Sequence, residues 1–326
     1  MPNDRRAAIK KLKSLCLTPK IDINDFRARI DETFSAVFLP NHVELEETSF
    51  RTVKCDIISP EVYASNRVLL YIHGGSFVGG SRKAYRPFVS ALANATSSKA
   101  YLPEFRLAPA HPYPAGLEDL QMVYQSLYIE TEAALALNPG TDDSEKKPEV
   151  LIMADTSGAS LAMALIFGLK NRFRDSVRKV IFFSPWLDFS ETNDMFTSKK
   201  VYDDVFTADS VRLASEHYTY QENWNNPFVS PLKAPREMLT DFPPVFIQMG
   251  ENEIFYDSAV VFRDMLRNFG GKCDVDVWKK MPPMFQLVDE ELSQAHVAVE
   301  RIGSLITAKD RSNEGVHEIQ LVLERS

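Results

Sequence analysis

Short apolar runs alternate with amphipathic stretches along most of the chain, and this alternation predicts an α/β protein. The run 68–72 is apolar throughout, as in a strand buried on both faces of a sheet. The stretch 24–38 instead places Phe26, Ile30 and Phe34 four residues apart, as an amphipathic helix does. Alternating strands and helices favour a doubly wound, mostly parallel sheet. The predicted strands are 43–47, 50–58, 68–72, 99–103, 149–154, 179–184, 244–249 and 273–279, and the predicted core helices are 84–96, 115–137, 158–173, 256–268 and one near 287–307.

The same pattern divides the chain into a core and added parts. Residues 1–42 carry two short amphipathic helices, the first with a basic face, which we expect to cap the core. Residues 188–232 interrupt the alternation, are rich in aromatic residues and hold one predicted helix, so we interpret them as an inserted lid. The core then comprises 43–187 and 233–310, and 311–326 form a polar tail.

Composition narrows the class of protein. A net charge of -8 and a pI near 5.4 argue against a nucleic-acid partner. The three cysteines lie far apart and outside any Cys/His cluster, so we expect neither a metal site nor a disulfide framework, and we predict a reducing, cytoplasmic location. No apolar segment of the secretory type follows the basic N-terminus, and no run of about 18 apolar residues predicts a membrane span.

The stretch 151–162 combines an apolar strand, a tight turn of small residues and the start of a helix. This order is typical of a nucleophile elbow, in which G-x-S-x-G lifts a serine hydroxyl above a parallel sheet. Gly158 holds the second glycine position, Ala154 replaces the first, and Thr156 stands at the nucleophile position.

A second turn, with Gly74 and Gly75, directly follows the predicted strand 68–72. Backbone N–H groups at such a turn can point into a cavity and stabilise a developing oxyanion. A glycine turn alone is weak evidence, but its place upstream of the elbow-like turn is informative.

On these segments the chain resembles the hormone-sensitive-lipase-like group of α/β-hydrolases, which are carboxylesterases and lipases. The sequence His-Gly-Gly-Ser-Phe at 73–77 is similar to the family's HGGG-F segment, with Ser76 at the third glycine. Ala-Asp-Thr-Ser-Gly at 154–158 falls on G-D-S-A-G, and four further motifs keep the family's order, so that the resemblance covers roughly residues 40–310. The further matching segments are Glu-Phe-Arg-Leu-Ala-Pro-Ala-His-Pro-Tyr-Pro-Ala at 104–115, Ser-Pro-Trp-Leu-Asp at 184–188, Ser-Pro-Leu at 230–232 and Pro-Pro-Val-Phe-Ile-Gln-Met-Gly at 243–250.

The resemblance implies an α/β-hydrolase fold with an eight-stranded sheet and an α-helical cap, no cofactor, no metal, and a small apolar or acyl-ester-like ligand. It also implies positions for the site. The oxyanion donors would be Gly74, Gly75 and Ser157, and the pocket candidates are Ser76, Phe77, Asp155 and His217.

The chain departs from the family at all three positions of the catalytic triad. Thr156 replaces the serine, and Glu253 stands at the aspartate position of G-x-x-D-x-x-x-D. Pro283 stands where the family has the histidine of M-P-H-x-F.

These three substitutions differ in what they cost the chemistry. Glutamate can orient a histidine as aspartate does. Thr156 adds a methyl group at a strained turn, where a β-branched residue fits poorly. Pro283 has no titratable group, and loss of a triad histidine costs on the order of 10⁶ in kcat in a well-studied protease. The sequence therefore predicts a protein that is inactive or severely impaired in ester hydrolysis.

Three functions stay open from the sequence. The first is a non-catalytic protein that binds a small ligand, as the plant gibberellin receptor does among relatives that lost the histidine. The second is an atypical esterase that uses Thr156 or Ser157 with a substitute base. The third is a structural or interaction protein that forms a homodimer through the edge strand 273–279, as relatives of this family often do.

Overall fold

The computed structural model describes residues 2–35, 39, 42–137, 147–190 and 203–308. Part of the predicted lid, residues 191–202, and the predicted tail 311–326 lie outside these described residues. The strands are β1 (Val43–Phe50), β2 (Val53–Pro60), β3 (Arg67–Ile72), β4 (Lys99–Pro103), β5 (Glu149–Asp155), β6 (Val177–Phe183), β7 (Val245–Gly250) and β8 (Cys273–Trp278). The described helices are α1 (Pro2–Leu12), α2 (Ile23–Phe34), α3 (Arg82–Thr96), α4 (Ala115–Ala136), α5 (Thr156–Gly168), α6 (Asn171–Arg174), α7 (Ala208–Tyr218), α8 (Arg236–Leu239), α9 (Tyr256–Asn268) and α10 (Ser293–Thr307).

The eight strands form one sheet in the order β1-β2-β4-β3-β5-β6-β7-β8, which confirms the predicted mostly parallel, doubly wound architecture. β1 and β2 are antiparallel to each other, β2 is antiparallel to β4, and the remaining neighbours are parallel. β3 and β5 are neighbours with Ile72 opposite Ala154, so both strands end at the same place. The strand order reverses there, and such a reversal is where open α/β sheets form their sites.

Two predicted helices differ from the observed ones. The predicted helix 158–173 is divided into α5 and α6, because Leu169 has an extended backbone with ψ of 135°. The predicted last helix starts at Ser293 rather than near 287, because Met284 is left-handed and Leu292 is extended. The intervening residues Phe285–Leu287 form a short 3₁₀ turn.

A buried ion pair fastens α3 to β2. Asp56 is fully buried on β2 and accepts hydrogen bonds from the guanidinium groups of Arg82 and Arg86 on α3. Two arginine partners offset the cost of burying this carboxylate.

Among the described residues, none of the helices combines the length and the apolar composition that crossing a membrane requires.

Candidate active site

The turn between β5 and α5 has the backbone of a nucleophile elbow. Thr156 is left-handed, with φ of +41°, and only 4% of it is exposed. Gly158 lies so close to β3 that a Cβ atom there would come within 2.2 Å of the Ile72 carbonyl oxygen. The close approach of this turn to β3 therefore requires small residues. Thr156 adopts its left-handed backbone although β-branched residues disfavour that conformation.

The Thr156 hydroxyl is directed at the loop that follows β3. Oγ1 donates a hydrogen bond to Oδ2 of Asp155 at 3.1 Å. A Cβ atom built on Gly74 would lie 2.0 Å from this same Oγ1. The hydroxyl hydrogen is thus engaged by the neighbouring carboxylate.

Asp155 is the hub of a buried hydrogen-bond network. Oδ1 accepts from the Tyr71 hydroxyl at 2.9 Å and from the Gly74 N–H at 2.8 Å. Oδ2 accepts from Tyr85 at 3.1 Å as well as from Thr156. Complete burial raises the pKa of Asp155 to about 6, and the donors oppose this increase because they favour the ionised form. Sequence reasoning missed both tyrosines, since nothing in the motifs places them beside the turn.

The glycine turn keeps the strained backbone of an oxyanion loop. Gly75, Ser76 and Phe77 have consecutive positive φ values of 105°, 60° and 61°. The Phe77 N–H donates to Oγ of Ser157 at 3.1 Å, which joins this loop to the elbow. Gly74, one of the three predicted oxyanion donors, donates its N–H to Asp155 in this structure.

Glu253, at the acid position, is buried, with 3% of it exposed. Its Oε1 accepts from the Ser184 hydroxyl at 2.9 Å and from the Gly250 N–H, and its Oε2 has no partner among the described residues. Burial raises the pKa of Glu253 well above its usual range, because the buried environment penalises the ionised form.

The loop with Pro283 is connected to this acid through Ser184. The Ser184 hydroxyl donates to Glu253 and accepts the Met284 N–H at 3.0 Å. Pro283 is buried beside this link. The loop that carries the family's histidine position therefore lies next to the acid, and the Ser184 hydroxyl and the Met284 N–H form the contacts between them.

None of the five histidines in the described part of the chain lines the cavity beside Thr156. His73 is buried between the rings of Tyr85 and Phe105, and its Nδ1–H donates to the Gly74 carbonyl oxygen at 2.8 Å. Burial lowers the pKa of His73, because it penalises the protonated form. His217, predicted to face the pocket, is half-buried on α7 and is absent from the described cavity lining.

The cavity beside Thr156 has a volume of about 10 Å³. This is about the room that one water molecule needs. α7 contributes Ser210 and Val211 to its wall, in place of the predicted His217. The described lining residues are Ser76, Thr156, Ser157, Trp186, Phe206, Ser210, Val211 and Phe255.

Stacked aromatic rings close the space around this cavity. Phe77 stacks on Tyr218 of α7 with ring centroids 3.9 Å apart, and Trp186 stacks on Phe189 at 4.5 Å. Trp186 also stacks on Phe255 at 5.7 Å. The two loops, the lid helix and the segment after β7 are thus packed against one another through side chains.

The N-terminal segment also contacts the site. The Leu15 carbonyl oxygen accepts from the Ser76 hydroxyl at 3.3 Å. Arg5 donates to the Lys280 carbonyl oxygen at 3.0 Å and to the Asp204 carboxylate, which connects α1 to the loop before Pro283 and to the lid.

In the described residues, no group of three or more His, Cys, Asp or Glu side chains is arranged to hold a metal ion.

Comparisons with known proteins agree with this architecture. A family model described as "alpha/beta hydrolase fold" matches residues 69–287, which is more than half of the chain. An esterase of Acinetobacter venetianus is 26% identical over 306 residues, which cover 94% of each chain. An acetyl-hydrolase of Streptomyces hygroscopicus is 26% identical over 240 residues, 74% of this chain and 75% of that protein.

Solved structures agree with these relatives. The crystal structure of an esterase from the bacterial hormone-sensitive lipase family superposes with a TM-score of 0.79 at 26% identity, and the match covers 93% of this chain and 97% of the other. With its sheet order, its elbow and its glycine turn in the family's arrangement, the chain belongs to the α/β-hydrolase family, within the hormone-sensitive-lipase-like group.

Proposed function

We propose that this chain is a non-catalytic member of its family, inactive or severely impaired in carboxylic ester hydrolysis, which acts as a cytoplasmic scaffold or binding protein. The observation that carries the proposal is the absence of an accessible base among the described residues around Thr156. The described lining of the 10 Å³ cavity contains hydroxyl groups and apolar side chains but no titratable side chain that could serve as the base. General base catalysis needs such a group within hydrogen-bond reach of the proton that it removes.

Asp155 is the nearest titratable group to the Thr156 hydroxyl, and its position makes it a poor base. Its two oxygens already accept four hydrogen bonds, and it is absent from the described cavity lining. A base must also return the proton to the leaving group, which would have to occupy the cavity. Asp155 lies on the other side of the hydroxyl, among Tyr71, Tyr85 and Gly74.

Burial of the site favours scaffolding over ligand binding there. Ligand pockets in proteins usually measure about 300–1,000 Å³, far above the volume beside Thr156. A small apolar or acyl-ester-like ligand would enter only after the rings of Phe77, Trp186 and Tyr218 moved apart.

The test is turnover of p-nitrophenyl acetate and butyrate by the full chain. We expect the wild type and Thr156→Ala to give the same rate as an unrelated protein at equal concentration. Thr240→Ala, at an exposed threonine, is the matched control. Turnover by the wild type that is lost in Thr156→Ala and kept in Thr240→Ala would reject the proposal.

The second candidate is an atypical carboxylesterase, favoured by the retained elbow and by the esterase and acetyl-hydrolase names of the relatives. Its nucleophile would be Thr156 or Ser157. The Ser157 hydroxyl accepts the Phe77 N–H, which leaves its own hydrogen available. Activity that depends on Ser157 would be lost in Ser157→Ala and kept in Thr156→Ala, and we expect neither variant to change the background rate.

A homodimer through β8 is the assembly that we propose. β8 is at the end of the strand order, and α9 and α10 flank it with Val261 and Val297, which are 54% and 50% exposed. We expect Val261→Glu and Val297→Glu to yield monomers in light scattering. Val62→Glu, at a 77% exposed valine before β3, should leave the dimer intact. A monomeric wild type would reject this assembly without bearing on the loss of catalysis.

A further inference from the structure

Asp203 fastens the lid to the loop that follows β7. It lies at the start of the described part of the lid, residues 203–232. Its Oδ1 accepts the N–H groups of Val205 at 2.7 Å and of Phe206 at 2.9 Å. Its Oδ2 accepts the N–H of Ile254, on the loop after β7, at 2.9 Å. One carboxyl group therefore shapes the turn before α7 and also ties that turn to a distant part of the chain.

This link holds two walls of the cavity beside Thr156. Phe206 donates its own N–H to Asp203, and Phe255 directly follows Ile254. Both phenylalanine rings line the cavity, and their centroids are 5.6 Å apart. Loss of the hydrogen bond between Asp203 and Ile254 would leave these two walls free to separate.

A second buried acid lies beside the link. Ile254 directly follows Glu253, and the carboxyl groups of Glu253 and Asp203 interact electrostatically. Neither acid forms an ion pair with a cation among the described residues, since the guanidinium of Arg5 pairs with Asp204 instead. The start of the lid is thus fastened over two neighbouring acids that lack a cationic partner.

Ionising both acids in the closed protein is costly, because burial and like charge each penalise a carboxylate. Burial raises the pKa of Asp203 to about 6, and the backbone donors oppose this increase. Burial also raises the pKa of Glu253 well above its usual range, and the charge of Asp203 adds to the effect. Burial likewise raises the pKa of the Cys16 thiol, which interacts with Asp203, as does the carboxylate of Asp204.

Proton linkage sets the direction in which these acids act on the lid. In an opened lid both carboxyl groups would meet water, where they ionise near about pH 4. The closed form therefore binds protons more tightly than the open form does. Its extra stability is complete below the pKa values of the open form, and it is lost as the pH rises through those of the closed form.

We propose that Asp203 and Glu253 form a pH-dependent latch on the pocket. While the pair holds a proton, the lid stays closed over Thr156. When both acids ionise as the pH rises, their repulsion and hydration separate Phe206 from Phe255, and the population with a pocket open to an apolar ligand increases. The latch controls access to the pocket, so it is independent of whether the chain hydrolyses esters.

The test is hydrogen exchange of the full chain, measured by mass spectrometry at about pH 5 and about pH 8 and corrected for the intrinsic effect of pH on exchange. The amides of Val205 and Phe206 report the latch. We expect their protection to fall at least about tenfold, because one proton retained only by the closed form changes the opening equilibrium tenfold per pH unit. Protection should also be lower in this segment than in α4 at both pH values, which shows local opening.

Two results of this measurement would overturn the proposal. Unchanged protection of Val205 and Phe206 between the two pH values would mean that no latch exists. Protection equal to that of α4 would mean that the lid opens only when the whole chain unfolds.

Variants assign the effect to the two acids. Glu253→Gln keeps both hydrogen bonds that Oε1 accepts and removes one charge, so the fall in lid protection should be smaller than in the wild type. Adding Asp203→Asn removes the second charge and should make lid protection independent of pH. Asp209→Asn, at an exposed aspartate in the first turn of α7, should behave as the wild type. If the double variant fails to fold, Glu253→Gln alone decides, and a fall as large as that of the wild type would reject the latch.

Binding of Nile red, an uncharged apolar dye, tests whether the pocket opens. Apparent affinity scales with the population of the open form, so the wild type should bind the dye at least about tenfold more tightly at about pH 8 than at about pH 5. The double variant should lose this gain. Equal binding at both pH values, or the same gain in the double variant, would contradict the opening of this pocket.

Discussion

Replacing Glu253 by glutamine should make the protein less sensitive to rising pH. Oε1 of Glu253 accepts two hydrogen bonds that a glutamine carbonyl oxygen can keep, and its Oε2 has no partner among the described residues. Glutamine therefore copies the neutral form of the acid. Its amide adds a second unpaired buried donor hydrogen, which costs about 1 kcal/mol at every pH.

Proton linkage gives the direction and the magnitude of this change in the free energy of unfolding with pH. Burial raises the pKa of Glu253 above its value in the unfolded chain, so the folded protein keeps a proton that the unfolded chain releases. The stabilisation is complete below the unfolded pKa and is lost as pH rises towards the folded one. One fully retained proton corresponds to about 1.4 kcal/mol per pH unit, so from about pH 5.5 to about pH 7 the wild type should lose more stability than Glu253→Gln, up to about 2 kcal/mol.

The assay is urea unfolding of both proteins at these two pH values. Burial also raises the pKa of Asp155 and of Asp203 to about 6. Asp155 is present in both proteins and cancels in the difference, whereas Asp203 interacts with the Glu253 carboxylate and is part of the effect that is measured. Glu216→Gln, at an exposed glutamate of α7, should leave the pH dependence of the wild type unchanged. Parallel pH dependences for wild type and Glu253→Gln would refute the reasoning, because they would mean that Glu253 binds no more protons in the folded than in the unfolded protein over this pH range.

Three further predictions concern the scaffold and the site. Asp56→Ala should lower the free energy of unfolding by about 3–5 kcal/mol, since it leaves two arginines without their buried partner. Gly158→Ala should cost at least about 3 kcal/mol in the same urea assay, because the new methyl group would meet the backbone of β3. Thr156→Ser combined with Pro283→His should stay inactive on p-nitrophenyl butyrate, since a cavity of 10 Å³ has no room for the acyl group.

Each of these has a matched control. Asp264→Ala, in an exposed pair with its neighbour Arg263, should leave the urea midpoint unchanged. Gly168→Ala should be mild, because its methyl group would meet only the movable end of Gln121. Adding Phe206→Ala to the restored pair enlarges the cavity, and activity there but not in the pair alone would confirm closure as the second barrier. Turnover by the pair alone would contradict it.

The sheet and the loops around the elbow could be predicted because their signals are local. Continuous apolar runs identified buried strands, and motif order identified the turns that the sheet brings together. Gly158 illustrates why this works, since its approach to β3 leaves no room for a side chain. Helix ends were less predictable. Met284 is left-handed and Leu292 extended, and neither residue type signals this from sequence.

The direction of the Thr156 hydroxyl and the closure of the pocket could not be predicted, because they depend on residues distant in sequence. Tyr71 and Tyr85 donate hydrogen bonds to Asp155, and Asp155 also accepts a hydrogen bond from the Thr156 hydroxyl. Closure depends on Phe77 meeting Tyr218 of the lid. Motif spacing places each residue on an element, but it does not say how side chains from different elements pack.

The loss of the histidine and the raised pKa of Glu253 are linked, because a buried acid that lacks a cationic partner favours its protonated form. A triad acid is useful when ionised, because it orients and stabilises an imidazolium. With proline at position 283, an ionised Glu253 would be a buried charge without a cationic partner, and burial accordingly raises its pKa. The Ser184 hydroxyl donates to Glu253 and accepts the Met284 N–H, and it thereby joins the acid to the loop that contains Pro283. A histidine placed at position 283 would have to compete with Ser184 for the Glu253 carboxylate before it could serve as the proton acceptor. For this reason, we expect that restoring the serine nucleophile alone would not restore ester hydrolysis.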